Sequence, residues 1–168
     1  MCELNSICVD GTTFAVRPIE ITDVDRLGRL FDRLSPTSVH YRFFSPIRKP
    51  PAAALLRLAA VDHVRREALV ALDGDEIVAV ARYDGRPGTH DAEIAVTVED
   101  AWQHRGLGKR LTARLACRAA EAGYETFSAT MLPDNRAALG LIRKMSPQAK
   151  VAFAGGEYEA TMPLPRAS

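Results

Sequence analysis

The sequence predicts an α/β fold, a mixed sheet flanked by helices. Three observations predict it. Strand-like and helix-like segments follow the order β-α-α-α-β-β-β-α-β-α-β-β along the 168 residues. Some neighbouring strands are joined by tight turns and others by helical crossovers, which requires antiparallel and parallel pairing in one sheet. The apolar fraction of 47% and charged fraction of 26% are those of a globular protein with a sizeable core.

Residues 1–12 read as a loose lead-in to one domain spanning 1–168. Thr13 to Arg17 is a short strand, stopped by Pro18. Thr22 or Asp23 caps a helix whose apolar positions are Val24, Leu27, Leu30, Phe31 and Leu34. Ser35-Pro36 repeats the start signal, with Ser as cap and Pro in the first turn, for a short helix carrying Val39, Tyr41, Phe43 and Phe44. Pro50-Pro51 opens a third helix through Leu55, Leu56 and Leu58.

The period then changes. Ala68 to Leu72 and Glu76 to Tyr83 are strands about an Asp73-Gly74-Asp75 turn. Residues 91–98 form another strand. A helix from Leu107 keeps Leu111, Leu115 and Ala119 on one side and Arg110, Arg114 and Arg118 on its flank, and stops near Gly123. Thr126 to Met131 is a strand, and Asp134 or Asn135 caps a helix ending before Pro147. Val151 to Phe153, a Gly155-Gly156 turn and Tyr158 to Met162 form a final hairpin.

Composition excludes several functions. The net charge of +1 gives no electrostatic case for nucleic acid or membrane. No apolar run reaches the length of a membrane span, and the N-terminus lacks the pattern of a signal peptide. Cys2, Cys8 and Cys117 are scattered without C-x-x-C spacing, so neither a metal site nor a disulfide framework is expected, and a reducing, cytoplasmic setting fits. His40, His63, His90 and His104 show no ligand spacing, and no metal is expected.

The most informative segment is Gln103-His104-Arg105-Gly106-Leu107-Gly108-Lys109-Arg110, between a strand and a long helix. The first turn of a helix has unpaired N–H groups and the positive end of the dipole. Gly106 and Gly108 would let backbone approach a ligand, and Arg105, Lys109 and Arg110 would add charge. A phosphate or pyrophosphate is the simplest guest. An ordinary strand-to-helix turn gives the same pattern. A Walker loop is excluded by spacing and the missing hydroxyl, and a Rossmann fingerprint by Leu111 where the third glycine belongs.

The element order, with Gln103-x-x-Gly106-x-Gly108 at its strand–helix junction, resembles the GNAT superfamily of acyl-CoA-dependent N-acyltransferases over residues 13–163. Val96 to Leu111 is similar to the family's acyl-CoA loop, and Asn135-x-x-Ala138-Leu139-x-Leu141 to its later helix. Leu34-Ser35-Pro36-x-Ser38-x-x-x-Arg42-Phe43-Phe44 resembles the bacterial Pat-type protein-lysine acetyltransferases more narrowly. The resemblance implies a largely antiparallel sheet of about seven strands in three α-β-α layers. It implies acetyl-CoA as cosubstrate, an amine acceptor (a protein lysine or a small molecule), and cytoplasmic action. A homodimer is one assembly it allows.

By the same resemblance, the backbone of Val96 and Val98 would bond the pantetheine arm. Gln103, His104, Arg105, Gly106, Leu107, Gly108 and Lys109 would hold the pyrophosphate, and Asn135 would contact the arm or order the site. Glu93 matches the proposed general base, and burial beside Ile94 and Val96 is expected to make it a better proton acceptor. A solvated strand glutamate is the plainer alternative. Many relatives carry a tyrosine acid where this chain has Ile142, which cannot donate a proton, and Ser146-Pro147 replaces the usual Gly-Phe. That departure leaves a second reading open, an acyl-CoA-binding sensor without turnover; a nucleotide-binding partner protein is a third.

Other residues have less specific expectations. Glu99-Asp100 read as a loop and cap pair, Trp102 as packing, and His104 as a loop-lining residue or proton shuttle. At least two of Tyr41, Phe43 and Phe44 are expected in the core. Arg42, Arg48 and Lys49 read either as solvated surface or as charges that disfavour cationic acceptors.

Overall fold

The computed structural model describes residues 5–45 and 47–166. Its strands are β1 (Ser6–Val9), β2 (Thr12–Pro18), β3 (Arg66–Asp73), β4 (Glu76–Gly85), β5 (Asp91–Val98), β6 (Thr126–Met131), β7 (Lys150–Ala154) and β8 (Glu157–Pro163). The helices are α1 (Val24–Arg33), α2 (Pro36–Phe43), α3 (Ala52–Ala59), α4 (Leu107–Glu121) and α5 (Arg136–Met145). The strands form one sheet in the order β1-β2-β3-β4-β5-β6-β8-β7. β5 and β6 pair in parallel, and the other neighbours among the described residues are antiparallel. The count is eight rather than about seven because residues 6–9, expected in a loose lead-in, pair with β2 as β1.

Side-chain alternation splits the core in two. On one face Val70, Val80 and Leu72 pack with Leu27, Leu30, Phe31 and Leu55 of α1 and α3. On the other, Ala81, Tyr83 and Ile94 pack with Leu107, Leu111 and Leu115 of α4. Leu107, Leu111, Leu115 and Ala119 are all fully buried, as their helical spacing predicts.

Helix ends follow local chemistry. Ser35 accepts a bond from the Ser38 N–H at 3.1 Å, with Pro36 in the first turn of α2. The Asn135 side chain accepts from the Ala138 N–H at 3.1 Å and caps α5. Asp23 precedes α1 as expected, but its side chain does not cap that helix. Arg17 Nη1 and Nη2 donate to its two carboxylate oxygens at 2.7 and 2.8 Å, and the Glu20 N–H donates at 2.8 Å. Asp23 is fully buried.

The N-terminal strand lies along α4. Arg114 Nη2 donates to the Ser6 carbonyl at 2.6 Å, and Arg110 donates to the Cys8 carbonyl. Cys117, on the same helix, is disulfide-bonded, which corrects the expectation of no disulfide; Cys8 is free and exposed. Scattered sequence positions concealed the approach of this segment to α4. No described helix is long and apolar enough to cross a membrane.

The buried Arg17–Asp23 pair leads to a pH prediction. Burial alone would raise the Asp23 carboxyl; the Arg17 and Glu20 hydrogen bonds and the nearby positive charge outweigh it and hold the carboxyl below its ordinary range. A depressed carboxyl stabilises the fold fully above the unfolded value of about 3.9, and that stability is lost as pH falls through the folded value. Asp23→Asn should cost about 3 kcal/mol at pH 7. In denaturant titrations the gap between wild type and variant should close below pH ~4. A gap independent of pH would show that packing, not charge, accounts for the loss.

Candidate active site

β5 and β6 pair at Asp91–Thr126, Ala92–Phe127 and Glu93–Ser128, and beyond Glu93 they part. β5 continues to Val98, still paired to β4 on its other side. The opening therefore exposes one edge of β5. In an antiparallel pair the N–H and C=O of one residue point the same way, and alternate residues point to opposite sides. The Glu99 N–H donates to Val78 on β4, whereas the Val98 carbonyl accepts from Gln103 Nε2 at 2.9 Å, away from β4. Val98 and, by alternation, Val96 thus direct their backbone groups to the opening. An extended amide chain can pair along such an edge.

Past Val98 the chain makes a short turn and enters α4. Gly106 precedes the helix with φ +88°, a conformation that favours glycine. Arg110 makes the first helical bond back to Gly106. The N–H groups of Gly106, Leu107, Gly108 and Lys109 consequently lack intrahelical acceptors. Gly108 also has a packing task. A Cβ there would stand 3.2 Å from a Val98 methyl and 3.7 Å from one of Val96. Its small size seats α4 against β5.

The charged side chains are also redistributed. Arg105 pairs with Asp10 at 3.1 Å and lies over Trp102, and Arg110 reaches Cys8, so both turn to the β1–β2 hairpin. Lys109 and His104 are exposed at the loop, His104 with φ +60°. Trp102 packs edge-on to Phe14 at 4.8 Å, the packing role expected of it. Leu107 is fully buried, so its backbone alone is available to a ligand.

Gln103 acts as a brace. Its Nε2 donates to Val98 and also to Ser38 Oγ at 3.1 Å. Ser38 Oγ donates to Asp100 Oδ2 at 3.1 Å, and the Ser35 N–H donates to Asp100 Oδ1 at 3.0 Å. Burial alone would raise the Asp100 carboxyl, but these bonds hold it below its ordinary range. At the other end of α2, Tyr41 Oη donates to the Asp134 carbonyl at 3.2 Å, next to Asn135. α2 thus bridges the loop after β5 and the loop after β6. Sequence reasoning missed Ser38 and Asp100 as a network; the signal was two hydroxyls three residues apart at the start of α2.

Of the aromatic trio, Phe43 packs on Phe31 at 5.3 Å, Tyr41 takes the bridging bond, and Phe44 is an exposed residue at the end of α2. One core residue replaces the expected two. Ile142, on α5, is buried in the core.

Glu93 stands at the last paired position before the opening, opposite Ser128 and Asp84. Its side chain is on the face of α1–α3 and is exposed, contrary to the expected burial. The reason is alternation: Ile94 and Val96 project to the opposite face, into the core under α4. Asp91 nearby is held by Thr126 and Ser128 hydroxyls at 2.8 and 3.1 Å. No metal-holding group of His, Cys, Asp and Glu occurs among the described residues.

The acetyltransferase (GNAT) family model matches residues 35–146, from the cap of α2 through α5. The chain belongs to this family. It is 31% identical over 148 residues to the acetyltransferase PA5475 of Pseudomonas aeruginosa, covering 82% of this chain and 80% of that protein. It is 35% identical over 131 residues to the acetyltransferase Pat of Mycolicibacterium smegmatis, covering 76% of this chain and 39% of that protein. The GNAT domain of S. lividans PAT superposes with a TM-score of 0.88 at 32% identity, over 95% of this chain and 96% of that one. The GNAT fold, a mostly antiparallel sheet between helices, is the one the sequence implied.

The brace leads to a prediction. Ser38→Ala removes one donor to Asp100 and the acceptor of Gln103. Denaturant unfolding should show a loss of about 1–2 kcal/mol, the scale of a hydrogen-bonded network partly buried. A loss near zero would mean that the bridge from α2 to the loop is idle.

Proposed function

We propose that this chain is an acetyl-CoA-dependent N-acetyltransferase that transfers acetyl directly to an amine, without an acyl-enzyme. The carrying observation is the place of Glu93, at the point where β5 and β6 part. From there the unpaired edge of β5 leads to the helix N-terminus at residues 106–109. The residues fit acetyl-CoA: Val96 and Val98 offer an edge for the amide arm, and the N–H groups of residues 106–109 offer donors for pyrophosphate. Asn135 shapes the facing wall by capping α5.

Acetyl-CoA supplies the activated acetyl group. A protonated amine cannot attack it, so Glu93 accepts the amine proton. The N–C bond then forms, the C–S bond breaks, and CoA leaves as thiolate. Ile142 provides no acid, so the second amine proton, released as the amide forms, reaches the thiolate through water. A protein lysine is the first acceptor class, as the resemblance of residues 34–44 to Pat-type acetyltransferases implies, and a small metabolite amine the second. The cytoplasmic setting belongs to the same proposal, although the bonded Cys117 runs against the cysteine argument for it.

Ile142 favours a second reading, an acyl-CoA sensor without turnover. Calorimetry for acetyl-CoA, alongside thiol release with a panel of amines, separates the two. Binding with turnover is expected; binding without turnover on any amine selects the sensor, and no binding removes both.

Glu93→Gln should lower turnover by about 10²–10⁴-fold with acetyl-CoA affinity nearly unchanged. The acidic limb of the pH–rate profile should flatten, and high pH should partly rescue the rate. A near-normal rate with an unchanged acidic limb would remove Glu93 from the mechanism. Ile142→Val should cost about 0.5–1.5 kcal/mol of stability and leave turnover within a few-fold. A hundredfold loss of turnover at that stability would give this position a chemical role.

A further inference from the structure

Beside Glu93, on the same face of the sheet, lies a cluster of charge that the transfer reaction does not use. Arg82 projects from the middle of β4, where its neighbours Val78 to Ala81 are apolar, and it is only 5% exposed. Its Nη1 donates to the Leu58 carbonyl at 3.2 Å. Its Nε lies 4.0 Å from Asp84 Oδ2, a carboxylate that Arg66 Nε already holds at 2.6 Å. Its Nη2 is buried and has no hydrogen-bond partner among the described residues. A buried donor of that kind is costly unless something accepts from it.

Arg42 brings a second guanidinium to the same place. It reaches in from α2, partly buried, with its charge over the Phe43 ring at 4.9 Å. Arg42 and Arg82 line one cavity of about 10 Å³ with Thr97 and the apolar Leu27, Phe31 and Leu58. Burial pushes the Arg82 guanidinium down to about 10; Asp84 opposes this, and the like charges of Arg42 and Arg66 add to it. Arg42 in turn is lowered by burial and supported by Asp84 and Glu93. Three guanidiniums therefore share two carboxylates, and one of those carboxylates is the proposed base. Solvated surface, the plain expectation for Arg42, does not describe it.

Register fixes the spacing to Glu93. Arg82 pairs with Ala95 and Asp84 with Glu93, so Arg82 sits two residues along the sheet from the Glu93 position, about 7 Å. We propose that Arg42, at the partly exposed side of this water-sized cavity and backed by the buried Arg82, forms an anion subsite against which a carboxylate carried by the acceptor near its reacting amine docks. This deepens the proposed function and rests on Glu93 facing the acceptor. The acceptor class is a carboxylate-bearing amine: a free amino acid, or a lysine beside Asp or Glu in a peptide. Carboxylate recognition by paired guanidiniums is strong because each bond is charge-assisted and the forks are planar.

The test begins without turnover. The whole chain is titrated with butyrate and with its neutral isostere butyramide, followed by ligand-observed NMR. Butyrate should bind saturably and at least tenfold more tightly than butyramide, and Arg42→Met should erase that preference. Equal or absent binding of the two probes would mean that the cavity holds water only and would overturn the proposal. So would a preference that survives in both Arg42→Met and Arg82→Met with folding intact by circular dichroism. These readings stand even if Glu93→Gln removes the base assignment, so the two failures are distinguishable. Turnover then separates the sources. Free lysine against lysine amide reads the amino-acid arm, and a Lys-Glu peptide against a Lys-Gln peptide reads the peptide arm. The carboxylate member of one pair should have a KM about tenfold lower, a ratio that collapses in Arg42→Met. A ratio of one in both pairs would overturn the assignment to the acceptor.

Discussion

The parting of β5 and β6 after Glu93 is the constraint on which the site depends. Backbone groups in a sheet interior are ordinarily paired, and an unpaired edge inside a fold is costly unless solvent or a ligand meets it. Here two strands run parallel for three residue pairs and then separate. The separation is held from both faces. On one, Gly108 lets α4 seat against Val96 and Val98. On the other, α2 bonds to the loop beyond β5 through Ser38 and to the loop beyond β6 through Tyr41. The opening is thus part of the packed structure.

That geometry separates the two chemical tasks by strand alternation. Backbone groups of Val96 and Val98 serve the edge, while the side chains of Glu93, Ala95 and Thr97 face the helices α1–α3. A ligand threaded along the edge and an acceptor arriving from the α2 side would meet at Glu93. The charge pattern follows the same division. The loop's Arg105 and Arg110 are tied to the β1–β2 hairpin, so the helix N-terminus there relies on backbone N–H groups and Lys109. Arg82, buried, and Arg42, partly buried, sit instead on the face of α1–α3.

Most of the fold was legible because its elements carry local signals. Ser35-Pro36 and Asn135 begin helices with the expected caps, and Gly123 and Gly155-Gly156 close elements with positive φ. The family motif located the loop. What escaped the sequence were relations between distant segments. The lead-in became β1 because β2 offered an edge and α4 offered Arg110 and Arg114 to its carbonyls. Asp23 looked like a cap, but a buried carboxylate within reach of Arg17 is worth more as a bidentate partner. Glu93 looked buried beside Ile94 and Val96, yet adjacent residues of a strand face opposite ways. Arg82 carried a visible signal, one charge in an apolar strand, that no motif claimed.

Hydrogen exchange with and without CoA tests the central claim most directly, because it reads the backbone groups themselves. CoA should slow exchange of the amides of Val96 and Val98 and of residues 106–109 together, while amides of β1, β2 and β7 stay unchanged. Protection confined to another surface, or protection of the loop without the β5 edge, would contradict the account of a cofactor site built at the parting of β5 and β6.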